Sequence, residues 1–339
     1  MFPTYRRRLV FALSCCGWVS SCATPPSPRV DSVAHTDAGA TEVTGVPFHP
    51  QETWQCGPAA LAMVLGWSGE SVPPQALVGE VYSPARKGSL QASMVAAARR
   101  HDRVAFTLSG PADLTRELEA GNPVIVLQNL GLSWVPVWHY AVAIGYDGAA
   151  NTVTLHTGTS EAKRLSATVF DNTWARSGYW GLLVLPPGRV PATAGETAYL
   201  RAVEGLEQAG RQETAATAYQ GALTRWPGSL GALVGMANTR YASGDLPGAE
   251  SALRAATRHH PGSGIAYNNL AQVLSDQGRH AEALAVARRA VESGGSYSQD
   301  FNDTLKEIVR RRGSSNESTH ARPSHWQDQD HSQHPAGQP

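Results

Sequence analysis

The sequence predicts an α+β domain followed by an all-α superhelix. Residues 46–187 read as helices first and then a meander of short strands, the layout of an α+β fold. Residues 195–312 keep a helical pattern that recurs every 34 residues, as stacked helix pairs do. The chain of 339 residues is 42% hydrophobic and 17% charged, enough for about two packed domains and too apolar for disorder throughout.

The N-terminus has the layout of a secretory signal. Arg6, Arg7 and Arg8 precede a short apolar run, Leu9 to Val19, and then small residues. That run is too short to span a bilayer. Val19-Ser20-Ser21-Cys22 resembles a lipobox, in which Cys22 is acylated and becomes the mature N-terminus; the alternative is an ordinary cleaved signal ending near Ala23. Ala23 is not Asp, so the resemblance to Gram-negative sorting signals implies the outer membrane, facing the periplasm. Processing would remove Cys15, Cys16 and the three arginines, leaving a slightly acidic chain in which Cys56 is the only thiol without lipid. A lone cysteine in an oxidising compartment has no disulfide partner. Elsewhere no apolar run reaches 18 residues, and Lys plus Arg (28) balances Asp plus Glu (28). A global attraction to nucleic acid or to an anionic membrane is thereby excluded. Contact with a membrane is expected through the N-terminal lipid, and no nucleic-acid partner is expected.

Residues 23–45, rich in Pro, Ser, Thr and Ala, read as a flexible tether. In the first domain, Pro58 to Trp67 is a helix of good helix formers on a buried-looking run. Ser89 to His101 and Pro111 to Ala120 are further helices, the last broken by Gly121-Asn122. Pro123 to Gln128 is a buried strand. His139 to Tyr146 and Thr152 to Thr157 form an antiparallel pair around a turn that starts at Asp147-Gly148. Trp180 to Leu185 closes the domain before Pro186-Pro187, and 188–194 is a linker.

In the second domain Gly210, Gly244 and Gly278 mark turns 34 residues apart. Ala215, Ala249 and Ala283 recur at that period, as do Ala222, Ala256 and Ala290. Small residues repeat where paired helices approach closely. This is the tetratricopeptide (TPR) signature, in three repeats over about 195–297 with a cap helix from Phe301 to Arg312. Such a superhelix offers a groove to a protein or peptide partner. Residues 313–339, polar and rich in His and Pro, are expected to be disordered.

The most informative segment is Gln51-Glu-Thr-Trp-Gln-Cys56-Gly57-Pro58-Ala-Ala-Leu61. A thiol just before a helix meets free backbone N–H groups and the positive end of the macrodipole, both of which favour thiolate. Gly57 would let a substrate approach. Gln51 could offer a side-chain N–H to a developing oxyanion beside the N–H of Cys56. Farther on stands Trp138-His139-Tyr-Ala-Val-Ala-Ile-Gly-Tyr-Asp147, with 83 residues between Cys56 and His139. Together these strings resemble the bacteriocin-processing, double-glycine-leader peptidases and their papain-like relatives. The resemblance covers about 46–186. It implies a papain-like α+β cysteine peptidase domain ahead of the TPR superhelix, with Cys56 as nucleophile, His139 as base, Gln51 at the oxyanion and a peptide or protein substrate in the cleft.

The third residue departs from that pattern. The family places Asp or Asn on the next strand to orient the imidazole. A hairpin centred near Gly148–Ala149 sets His139 opposite about residue 158, among His156-Thr157-Gly158-Thr159. No carboxylate is there. Thr157 best occupies the position, and a hydroxyl can accept from an imidazole N–H. Asp147 falls at the far end of the hairpin and Asp171 is a distant alternative; a dyad would need neither.

No P-loop, dinucleotide fingerprint or HExxH occurs. The tail histidines are irregularly spaced, so no metal and no cofactor is expected. Trp54, Trp134, Trp138, Trp174 and Trp180 read as core and rim packing, with Trp134 and Trp138 able to shape a groove. Two further readings stay open: a non-catalytic binding module, and a Cys-dependent acyltransferase or thioesterase.

Overall fold

The structure, a computed structural model, describes residues 40–51 and 55–320, with 314–320 described by backbone alone. Cys22, the signal segment and Trp54 lie outside the described residues.

The chain enters through β1 (Thr41–Glu42), then α1 (Cys56–Trp67) and α2 (Pro74–Val81). A small hairpin, β2 (Tyr82–Ser83) and β3 (Gly88–Ser89), leads into α3 (Gln91–Arg100), β4 (Val104–Thr107) and α4 (Pro111–Glu119). The meander follows: β5 (Val124–Asn129), β6 (Trp138–Asp147), β7 (Thr152–Thr157) and β8 (Ser160–Ser166). Helix α5 (Ala167–Trp174) and β9 (Gly181–Leu185) close the domain. The main sheet is antiparallel in the order β4-β9-β5-β6-β7-β8, with β1 beside β6. β5 and β9 are buried along their whole length, as the central strands of a covered sheet are. Helix α1 is buried from Gly57 to Leu65. A helix apolar on all sides belongs inside, and here it packs on β6.

Several sequence expectations shift. Part of the expected tether is ordered: Thr41 pairs with Tyr146, the Val43 N–H donates to the Ile144 carbonyl, and Val43 is buried. Helix α1 starts at Cys56 rather than Pro58, so the cysteine is its first residue. Helix α3 starts at Gln91 because Ser89 is held in β3 opposite Tyr82. The β6–β7 turn occupies 148–151, and a bulge between Ala143 and Gly145 moves the register so that Val142 faces His156.

Helices α6 (Glu196–Gln208), α7 (Gln212–Arg225), α8 (Leu230–Ala242), α9 (Leu246–His259), α10 (Gly264–Asp276) and α11 (His280–Ser293) form three antiparallel pairs. Gly210, Gly244 and Gly278 take φ of 74°, 79° and 78°, a left-handed turn that glycine enters without steric cost. The recurring alanines are all buried. Helix α12 (Ser298–His320) is longer than the expected cap and runs into the expected disordered tail; its buried Phe301 and Ile308 hold it to the repeats.

The linker is anchored. Thr193 donates from its backbone N–H and its hydroxyl to Glu117 Oε1, at 2.7 and 2.6 Å, while Asn122 Nδ2 donates to Oε2 at 2.6 Å. Glu117 is fully buried, so these donors stand in for its lost hydration. Arg225 donates to the Pro191 carbonyl at 2.6 Å. α6 packs on β4, Thr214 donates to Asp102 at 2.6 Å, and one apolar cluster runs from Val43 to Ile308.

Candidate active site

A cleft of about 960 Å³ is lined by Gln51, Cys56, His139 and Gly158, with Ser89 and Tyr140 between them. Four separate elements deliver these groups. α1 presents Cys56 on its first turn, β6 carries His139 and Tyr140, β3 carries Ser89, and Gly158 sits in the β7–β8 turn.

The start of α1 has no side-chain cap and no acidic residue in its first turn, so its amides are left for another acceptor. The Cys56 sulfur takes that place, receiving the backbone N–H groups of Tyr140, Gly57 and Cys56. Burial nevertheless dominates and pushes the thiol above its ordinary value. The expectation of a resting thiolate is corrected on this point. Burial also lowers His139, helped by the positive charge of Lys163, so the imidazole is neutral at neutral pH and lends the thiol no charge. The free site therefore rests as thiol and imidazole, not as an ion pair.

His139 Nε2 lies 2.8 Å from Thr157 Oγ1. The tautomer in which Nε2–H donates to that hydroxyl leaves Nδ1 with its lone pair free to accept a proton. No carboxylate takes part in this contact. Asp147 accepts from the Ala150 N–H in the turn at the other end of the hairpin. Asp171 stands beside Tyr179, and burial raises its carboxyl.

Gln51 is buried, and its Nε2 and Oε1 make no hydrogen bond among the described residues. Its backbone N–H donates to the Gly158 carbonyl at 2.9 Å, which fixes its Cα to the turn after Thr157. A buried amide without a partner is costly, and a group entering the cleft could relieve that cost.

Gly57 plays a different part from the one expected. It is buried, and a Cβ there would meet Ser89 Oγ at 2.2 Å. The missing side chain makes room for β3, not for substrate. Ser89, Tyr140 and Lys163 escaped the sequence reading. Tyr140 could have been found as the neighbour of His139; Ser89 and Lys163 reach the site only through tertiary folding. Of the tryptophans, Trp174 is core and Trp134 is 76% exposed, while Trp138 lines the cleft.

Residues 43–181 match the model of the Peptidase_C39 like family, and residues 234–298 match that of the tetratricopeptide repeat. No curated protein matches the chain. Among solved structures, a protein described as a C39-like peptidase from Bacillus anthracis is 18% identical with a TM-score of 0.38, covering 44% of this chain and 98% of that one. The peptidase domain of Streptococcus ComA is 21% identical with a TM-score of 0.36, covering 42% and 99%. The Sgt2 TPR domain from Aspergillus fumigatus is 19% identical with a TM-score of 0.35, covering 40% and 90%. The fold is an α+β domain, matched by the Peptidase_C39 like model over 43–181, followed by an all-α run of helix pairs, matched by the tetratricopeptide model over 234–298.

Proposed function

We propose that this C39-like domain is a cysteine peptidase that hydrolyses peptide bonds through a thioester, with the TPR helices recruiting a protein or peptide partner. The observation that carries the reading is the convergence of Cys56, His139 and the unpartnered Gln51 amide on one cleft. In this reading the Cys56 sulfur attacks the peptide carbonyl carbon as its proton passes to His139 Nδ1. Gln51 Nε2 and the Cys56 N–H take the oxyanion. The C–N bond breaks, the amine leaves with the proton from His139, and water then hydrolyses the thioester. Thr157 keeps the ring oriented throughout. We further propose that acylation of Cys22 holds the protein in the cell envelope, at the outer membrane and facing the periplasm.

Among the described residues His139 meets a hydroxyl rather than a carboxylate, and this and the raised thiol favour a second reading, in which the cleft grips a peptide without cutting it. A Cys-dependent acyltransferase or thioesterase would use the same thioester with a different acceptor or donor. Mass spectrometry of a peptide library incubated with the full chain separates these. The peptidase reading expects new amine termini that vanish in Cys56→Ala. Peptides retained intact by both proteins would favour the binding module. An acyl group moved without a new amine terminus would favour the transferase.

A further inference from the structure

Between β5 and β6 the chain forms a finger, residues 130–137, that ends beside the cleft. Its apolar residues are not covered. Leu130, Leu132, Trp134, Val135, Val137 and the adjoining Trp138 are each between 50% and 76% exposed. No Asp, Glu, Lys or Arg occurs from Gly121 to Tyr146. Contiguous exposed apolar surface of this kind marks an interaction site.

The finger is built rather than slack. Leu132 and Val135 exchange backbone hydrogen bonds, and the Leu130 N–H donates to the Val137 carbonyl. Buried Asn129 staples its base: Oδ1 accepts from the Gly131 and Val137 N–H groups, and Nδ2 donates to the Leu132 carbonyl. Arg176 closes the outside by donating to the Asn129 and Gly131 carbonyls. Gly131 is required there, because a Cβ would lie 2.3 Å from the Val135 carbonyl oxygen. Hydrogen bonds thus hold the foot and shaft of the finger, and Pro136 has no N–H to satisfy, while the Ser133 and Trp134 backbone groups at the tip have no partner among the described residues. Such a tip suits the hydrated headgroup layer rather than the hydrocarbon, which offers a backbone no partners.

Finger foot and tip differ. Leu130, Pro136, Val137 and Trp138 line the cleft, whereas Leu132, Trp134 and Val135 do not. The same cleft is lined by Arg86 and Lys87 of the β2–β3 hairpin and by Arg176. The tip is apolar and carries an exposed indole, and the cations stand on the cleft that the finger's foot lines; together they complement the interface of an anionic bilayer. We propose that residues 130–137 are a lipid-seeking finger that seats the mouth of the cleft on an anionic membrane surface. The chain's zero net charge does not oppose this, because the attraction is local and acts within a Debye length.

The test is co-sedimentation of the full chain carrying Cys22→Ser, so that no acyl group intervenes, with vesicles of phosphatidylglycerol and phosphatidylcholine. Binding is expected, with a loss of about tenfold or more in Leu132→Ser/Trp134→Ser at unchanged thermal stability. Arg86→Glu and high salt should weaken binding to the mixed vesicles and leave binding to pure phosphatidylcholine unaltered. Vesicle binding that ignores the tip variant overturns the proposal. Tip-dependent self-association in sedimentation velocity without lipid also overturns it, making the finger a contact between copies. Loss of peptide turnover in the tip variant with vesicle binding intact overturns it as well, making the finger a wall for substrate.

Discussion

At the scale of single residues, the site is a contest between burial and hydrogen bonding, and burial wins at both reactive groups. Three backbone N–H groups favour the Cys56 thiolate, yet the thiol stays above its ordinary value of 9.0. His139 falls below its ordinary value of 6.5. The two shifts have opposite signs and the same consequence: between the two values the neutral pair dominates. Iodoacetamide alkylation of Cys56 should therefore climb only at and above about pH 9. A plateau reaching below pH 7, abolished by His139→Ala, would instead reveal an ion pair. On the peptidase reading, turnover should show an acid limb below 6.5, where His139 takes up a proton and could no longer accept one from the thiol. Thr157 fits this arrangement. A hydroxyl orients the ring without the charge that would pull a proton onto it, whereas a carboxylate in its place would raise the imidazole and favour the ion pair.

At the scale of elements, legibility followed periodicity. The helix pairs after residue 195 were readable because Gly and Ala positions return every 34 residues. Strands β5, β6 and β7 were readable because they are apolar runs between turn signals. Strand β8, with exposed Glu161, Lys163 and Arg164, is an edge strand whose charged residues face water, so it carries no strand pattern. Strand β1 has two residues and exists only because β6 pairs with it. Helix α2 and strand β4 were missed as short pieces whose order comes from packing. In the site, Cys56, His139 and Gln51 announced themselves by motif; the Ser89 contact with Gly57 did not, because nothing local links β3 to α1. The repeats also carry an ionic lattice between neighbours. Glu250 meets Arg254 and Arg279, both of which also bind Glu282. Burial would raise Glu250, but the two arginines outweigh it and hold the carboxyl at about 2. A depressed carboxylate contributes stability above its unfolded value and loses it as pH falls through the folded one. Glu250→Gln should therefore melt earlier than wild type at pH 7. That gap should shrink as pH drops from 4.5 toward about 2, and a gap independent of pH would contradict the assignment.

At the scale of the whole molecule, the α+β domain and the helix pairs share one apolar cluster and a buried polar clasp. Wild type should unfold in one calorimetric transition. Glu117→Ala strands the Thr193 and Asn122 donors, at a cost of about 1–3 kcal/mol for each buried group left unpaired. It should lower the melting temperature and split the transition in two. A single transition in the variant would show that the α6–β4 packing couples the domains without the clasp.

The anchored linker bears on what such a molecule could select. A docked partner held by the repeats would reach the Cys56 sulfur only across a set span, because the segment between repeats and cleft is pinned at Thr193, Pro191 and Arg225. The molecule would then act as a ruler. Which bond met the thiol would depend on how many residues separate it from the docked segment, and lengthening a partner by a few residues would move the point of attack by the same number.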